Sequence, residues 1–306
     1  MKRFLVALLV LAALGAGGFW LLTSPGLQKA GLGPAPAGAA NVENGRVAFY
    51  AGGCASCHAT PNQDDRLRLG GGYALHSPFG TFYAPNLSPH PRDGIGGWTE
   101  AAFIRAMKAG VSPDGRHYYP AFPYTSYQRM TDTDARDLFA FIKTLAPVEG
   151  RAPDHDLPFP FNVRRGLGLW KLAFLDGETF RPDPAKSASL NRGAYLTQGL
   201  GHCAECHSGR TVFGNIAEDR RYAGGPNPEG KGWVPNITPH GTGLKEWTRG
   251  DIVEVLTSGL TPTGDSVGST MTSVVKNTAE LPEPDRAGIA EFLLSLPPKE
   301  GRKGPQ

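Results

Sequence analysis

Cys54-Ala55-Ser56-Cys57-His58 and Cys203-Ala204-Glu205-Cys206-His207 are two copies of one pattern, and together they use every cysteine in the 306-residue chain. In Cys-x-x-Cys-His, the two thiols form thioethers with the vinyl groups of a haem, and the adjoining imidazole becomes the proximal ligand of its iron. Four cysteines would also make two disulfides or one tetrahedral zinc site, and Cys-x-x-Cys alone suits a dithiol redox pair. None of those chemistries requires a histidine directly after the second cysteine, and both copies have one. The sequence therefore predicts two covalently bound haem c groups. Cys54 and Cys57 hold the first, with His58 on its iron; Cys203 and Cys206 hold the second, with His207.

The N-terminus suits that chemistry. Met1-Lys2-Arg3 precedes nineteen uncharged residues, Phe4 to Leu22, and the next charged side chain is Lys29. A secretory signal carries an apolar run of about 7–15 residues, whereas spanning a bilayer takes about 20. The run falls on the anchor side. The basic pair ahead of it predicts a short cytoplasmic end and export of everything beyond Trp20. Small residues at Ala35, Ala37, Ala39 and Ala40 resemble a cleavage stretch but lie well beyond the apolar run. The expected layout starts with a signal-anchor over 1–28 and a flexible Pro/Ala/Gly tether over 29–40. The haem domains then face the periplasm from the inner membrane.

Composition is otherwise that of a soluble globular protein, 40% hydrophobic and 19% charged, with a formal net charge of +3. So mild a balance argues against a nucleic-acid partner. The 41 glycines and 27 prolines predict much loop wrapped around something, a role two haems would fill.

Superposing the two motifs brings the rest of the chain into register. Asn44-Gly45-Arg46-Val47-Ala48 pairs with Asn191-Arg192-Gly193-Ala194-Tyr195, and Ala84-Pro85-Asn86-Leu87-Ser88-Pro89-His90 with Val234-Pro235-Asn236-Ile237-Thr238-Pro239-His240. Trp98-Thr99 and Trp247-Thr248 each begin 44 residues after the first cysteine of their motif, and Asp134 to Pro147 matches Asp285 to Pro298. Such self-similarity means two copies of one domain, over 41–147 and 191–298, with a strap over 148–190 and a tail over 299–306. Each copy predicts a short helix before the motif, a middle helix capped by Thr99 or Thr248, and a final amphipathic helix. No stretch of comparable length alternates as a strand does. The fold class is all-α, two tandem class I cytochrome c domains. In the strap, a helix is expected over Phe161 to Leu175, around Trp170, which either packs against both domains or docks on a partner protein, the interdomain strap being the plainer reading.

The sixth iron ligands decide what the haems do, because a thioether opposite the histidine raises the potential and closes the iron to substrate. Beyond the initiator only Met107, Met130 and Met271 are available. Met271 lies between the last two helices of its copy, in a Gly/Ser-rich stretch able to cross an open haem face, and is the distal ligand expected for the second haem. Met107 aligns with Leu256 on an apolar helix face and reads as core. Met130 aligns with Leu281, a place for a helix staple, yet is the expected ligand for the first haem, with His117 and an open site as alternatives. Trp98 and Trp247 each offer an apolar face and one donor, which suits either a haem propionate or plain core packing. His90 and His240 read as solvent-facing or propionate contacts, His202 as packing on its haem edge or facing solvent, and Asn86 and Asn236 as turn residues.

With these residues in hand, the chain resembles the membrane-associated dihaem cytochrome c family, including cytochrome subunits of bacterial periplasmic dehydrogenases for alcohols, gluconate and related substrates. Gly80-Thr81-Phe82-Tyr83-Ala84-Pro85-Asn86, Tyr118 to Tyr127, and Arg192-Gly193-Ala194-Tyr195 running into Gly201-His202-Cys203 carry the resemblance, which covers about Asn41 to Pro298. Alcohol dehydrogenase cytochrome subunits have three haem motifs where this chain has two. Many relatives have Pro-Ala-Met-Pro-Tyr where this chain has Pro120-Ala121-Phe122-Pro123-Tyr124, and phenylalanine does not ligate iron. The resemblance implies an electron carrier rather than a catalytic subunit. Its donor would be a dehydrogenase, and its acceptor an oxidase, a quinone system or a soluble cytochrome. The alternative is a haem enzyme in its own right, of the dihaem peroxidase or thiosulfate dehydrogenase type, working at an open or weakly ligated haem. No acid-base constellation in the sequence calls for it.

Overall fold

The computed structural model describes residues 1–27, 32–33, 36–230 and 232–302. A single helix, α1 (Lys2–Leu22), is long and apolar enough to cross a membrane among the described residues. None of its residues is buried. The rest is mostly helical, and its two halves repeat one plan.

In the first half, α2 (Val42–Ala51) leads into the motif helix α3 (Cys54–His58), and α4 (Glu100–Ala109), α5 (Tyr124–Tyr127) and α6 (Asp132–Lys143) follow. In the second, α8 (Ala188–Tyr195) precedes the motif, and α9 (Arg249–Ser258), α10 (Met271–Thr278) and α11 (Glu283–Ser295) follow. Thr99 and Thr248 cap the middle helices as expected, each hydroxyl accepting from the third helical N–H, and Asp251 completes a reciprocal box at Thr248. The final helices bury Leu138, Phe139, Phe141 and Ile142 in one half and Ile289, Phe292 and Leu293 in the other.

First and last helices cross in each half at a glycine. A Cβ on Gly45 would lie 2.0 Å from the carbonyl oxygen of Asp137, and one on Gly193 would lie 1.8 Å from that of Gly288. These crossings correct the register read from the sequence, because Gly45 is the counterpart of Gly193 rather than of Arg192. The second half has one more residue between its crossing and its first cysteine. A π-turn over Leu196–Leu200 takes it up, as expected of a single-residue insertion into a helix.

Two short antiparallel hairpins also form, which the sequence did not signal: β1 (Ala74–Ser77) with β2 (Gly80–Tyr83), and β3 (Gly225–Pro226) with β4 (Trp233–Val234). They leave the class all-α. The halves are not separate beads, since one continuous apolar core includes Phe49, Ile104 and Ile142 of the first with Leu196, Ile252 and Phe292 of the second.

The segments outside the repeat are held as well. The expected tether falls partly outside the described residues, but its described part is bound to α6. Gly33 N–H donates to Asp132 at 2.7 Å, and the Arg136 guanidinium donates to the Ala37 carbonyl at 2.9 Å. The strap helix is shorter than the sequence suggested, a 3-10 turn over Arg164–Gly166 and then α7 (Leu167–Phe174). It touches both halves: Lys171 Nζ donates to the carbonyls of Ala109 (2.7 Å) and Gly110, and Trp170 Nε1 donates to that of Phe213 at 2.9 Å.

Candidate functional site

Each motif histidine is oriented by the loop that follows it. His58 Nδ1–H donates to the Pro85 carbonyl at 2.8 Å, and His207 Nδ1–H donates to that of Pro235 at the same distance. With Nδ1 committed as donor, the lone pair sits on Nε2, free for a metal, which is the second-shell arrangement that fixes a ligand tautomer. Burial pulls both imidazoles below the usual histidine range, against the opposing pull of the proline carbonyls, and so keeps them neutral.

The proline loops are themselves pinned. Asn86 Nδ2 donates to the carbonyls of Val148 (2.7 Å) and Gly150 (2.8 Å), and Asn236 Nδ2 to that of Lys299 at 2.7 Å. Each also closes its own turn, by accepting from Ser88 N–H or Thr238 N–H. These asparagines are more than turn residues, since each fastens the chain just beyond the final helix onto the loop that aims the histidine.

All four cysteines are unpaired, and among the described residues no cluster of three or more His, Cys, Asp or Glu is arranged to hold a bare metal ion. Burial pushes the thiols of Cys54, Cys57 and Cys203 up to about 12 and that of Cys206 up to about 11. Two neutral thiols and a neutral, aimed imidazole form the donor set of a covalently attached haem. Trp98 and Trp247 lie partly buried against the core, and neither indole N–H is hydrogen-bonded to a described residue.

The distal sides of the two halves differ. Val111 bridges His117 and Leu260 bridges Ser266, and Tyr118 N–H donates to the Gly110 carbonyl as Val267 N–H does to that of Gly259. Both pairings run 149 residues apart, as the cysteines do, and counting on from them sets Phe122 opposite Met271, before the spacing widens to 151 at Met130 and Leu281. Met271 opens α10, half-buried, rather than lying in an extended loop. Phe122 packs among Tyr118, Tyr124 and Tyr127 with ring centroids 5.6, 6.4 and 5.6 Å away. Met130 is fully buried in the core, as its counterpart Leu281 nearly is, and Met107 is buried on α4. His117 is also buried, but its Nε2–H donates to the Thr23 carbonyl at 2.8 Å, at the end of α1. That bond turns it to the end of α1.

Three more histidines have partners within the chain. His90 Nδ1 accepts from Asp93 N–H at 3.0 Å and His240 Nδ1 from Thr242 N–H at 3.2 Å, each closing its own turn. His202 occupies the left-handed position that Gly53 fills in the first half, with φ of 37° against 60°. Its ring packs on Tyr127 of the first half at 5.5 Å, across the interface and not towards solvent.

Sequence reasoning missed how the two sites are joined. In each motif, the residue before the second cysteine is bonded to the distal helix of the other half. Asn277 of α10 donates to Ser56 Oγ at 2.8 Å, and Ser126 of α5 donates to Glu205 at 2.9 Å. Thr125 and Arg210 also donate to Glu205, at 2.9 and 2.7 Å. Burial alone would raise the Glu205 carboxyl, but Arg210 and Ser126 hold it below the usual range. Arg66 adds a bond to Asn277 Oδ1 at 2.8 Å, and Tyr73 one to Glu229 at 3.0 Å. The one sequence signal was a carboxylate inside Cys-x-x-Cys, a place where a buried charge demands a partner.

A helical fold with such a motif beside an oriented histidine in each half defines a c-type cytochrome, and the cytochrome c family model matches residues 42–146. A diheme cytochrome c-type protein of Cereibacter sphaeroides is 47% identical over 97% of this chain and 99% of its own length. The chain belongs to this family of dihaem c-type cytochromes, proteins that carry haem c covalently. It is also 40% identical to a nicotinate dehydrogenase subunit of Pseudomonas putida over 84% of this chain and 21% of that one. With the fructose dehydrogenase cytochrome subunit of Gluconobacter japonicus it shares 36% identity over 87% of this chain and 54% of the relative. The chain thus spans a fifth and about half of those two proteins. None of these relatives lends support to the reading of a haem enzyme acting alone.

Proposed function

We propose that the protein is a membrane-anchored dihaem electron carrier. It takes electrons from a dehydrogenase subunit in the periplasm and hands them to an oxidase, a quinone system or a soluble cytochrome of the respiratory chain. Two haems supply one-electron oxidation and reduction. Cys54 and Cys57 would hold the first and Cys203 and Cys206 the second, with His58 and His207 presenting Nε2 to the irons. Trp98 and Trp247 offer their free indole N–H groups to propionates.

Met271 is the proposed thioether of the second haem. For the first, Met130 remains the only methionine in the corresponding stretch. It would reach iron only by withdrawing from the core, and Phe122 holds the place of Met271, so the first haem is assigned the weaker distal coordination. The anchor is α1, about 31 Å long at 1.5 Å per residue and so matched to a hydrocarbon core of about 30 Å.

The observation that carries the reading is the crosswise bonding of the motifs, Ser56 with Asn277 and Glu205 with Ser126. Such bonds support a carrier because they would hold two haem sites at one separation, and fixed geometry is what electron passage with little rearrangement requires. The test is to purify the protein from native membranes, identify the oxidoreductase that accompanies it, and add that enzyme's substrate. Reduction of both haems at the rate of substrate turnover is expected. Haems that stay oxidised while the enzyme turns over would overturn the proposal.

A further inference from the structure

The C-terminal end of α1 does not leave the body freely. Thr23 is fully buried. Arg165 of the strap donates to its hydroxyl at 2.9 Å and to the Trp20 carbonyl at 2.6 Å, with its guanidinium 4.1 Å above the Trp20 ring. A Cβ on Gly168 would lie 2.5 Å from Thr23 Cα, so the strap backbone is pressed against the helix end. His117 of the first half takes the Thr23 carbonyl from the other side.

Around this clamp the strap exposes large apolar side chains: Phe159 is 80% exposed, Phe161 41%, Leu169 44% and Leu172 42%. The second half extends the patch with Val212 (89%) and Phe213 (66%). It is continuous: the Phe174 and Phe213 rings are 6.0 Å apart, and Phe79, against Gly214, stacks edge-on with Phe161 at 5.1 Å. Soluble surfaces rarely carry so large an apolar patch without an occupant.

We infer that this face rests on the outer leaflet of the bilayer, with the strap and the Val212–Phe213 loop inserted at headgroup depth. The inference rests on the reading of α1 as a membrane anchor. If α1 spans the hydrocarbon, Trp20 and Thr23 stand at its outer boundary, where tryptophan is favoured. Every strap residue bonded to them stands there too. Arg164 and Arg165 bring cations to the depth of the lipid phosphates, while aromatic and leucine side chains meet the acyl boundary, as in interfacial segments. The lipid surface is thereby favoured over a protein partner, because the patch is continuous with the end of the anchor itself.

Photo-crosslinking of the full-length holoprotein tests this in vesicles of phosphatidylethanolamine and phosphatidylglycerol, with p-benzoylphenylalanine in place of Phe161, Leu169 or Phe213, and with Leu9 and Asp64 as reference positions. Haem content reports that each variant has folded. The expected result is adducts of phospholipid mass at Leu9 and at all three face positions, and none at Asp64. Adducts at Leu9 with none at the face positions would overturn the interfacial face while leaving the anchor in place. Absence at Leu9 as well would remove the anchor reading along with it.

Discussion

Counted on from the Val111–His117 and Leu260–Ser266 bridges, Phe122 falls opposite Met271, and in the proposed carrier that difference sets the two haems apart in potential. A thioether opposite histidine stabilises reduced iron. Met271→Ala should therefore lower the potential of the second haem, by on the order of 0.1 V within the roughly 0.8 V that axial ligands span. Phe122→Met should raise the potential of the first by a similar amount, because the new sulfur would stand where Met271 does. Redox titration of each variant followed by absorbance reads both, and an unchanged second-haem potential in Met271→Ala would dismiss that ligand. At this scale the sequence was most legible where chemistry is written in adjacent residues, as in Cys-x-x-Cys-His and the Thr99 and Thr248 caps. It was silent on Asn277 and on which residues answer the Glu205 carboxylate, because the partners of the two lie 221 and 79 residues away. Periodicity carries no trace of contacts that far apart.

Helix crossings and the strap show what an element inherits from its neighbours. Gly193→Ala would drive a methyl into the Gly288 carbonyl at 1.8 Å. Prising α8 from α11 should cost about 1–3 kcal/mol, as overpacking does, and a denaturant melt would record it. Lys171 makes the strap sensitive to pH. Buried against the end of α4 and near Arg105, its amine is held down to about 7, whereas an unfolded lysine titrates near 10.4. Below pH 7 both states hold the proton, so the full penalty of burying the charge stands and does not vary. Between pH 7 and about 10.4 the unfolded chain binds a proton that the folded chain lacks, so stability rises with pH, by at most about 1.4 kcal/mol per unit. Wild type should therefore gain on Lys171→Met between pH 6.5 and pH 9 in thermal melts. Parallel curves would refute it. The length of the strap helix was overestimated because Phe161 and Val163 look like the start of an apolar face. In the structure both are exposed, and regular helix begins only at Leu167.

For the molecule as a whole, the repeat was readable and the union of its halves was not. Matching Asp134 to Asp285 and Trp98 to Trp247 discloses two copies, but nothing in an alignment of the copies tells whether they share a core. They do, and residues 41–150 alone would expose the apolar surface that now faces Leu196, Tyr195 and Leu200. That fragment should fail to unfold cooperatively, given that whole domains are stable by only about 5–15 kcal/mol. A sharp thermal transition from a monomeric fragment would contradict this. The register slip at Gly45 and Gly193 has the same origin, since an inserted residue absorbed in a π-turn leaves no mark on composition.

The bonds from Ser56 to α10 and from Glu205 to α5 also bear on the order of biosynthesis. Cys54 is buried and its three fellow cysteines half-buried once the halves have closed. Attachment of the proposed haems to these thiols should therefore precede the settling of the second half on the first, which pulse-labelled chains would show as haem gained before protease resistance.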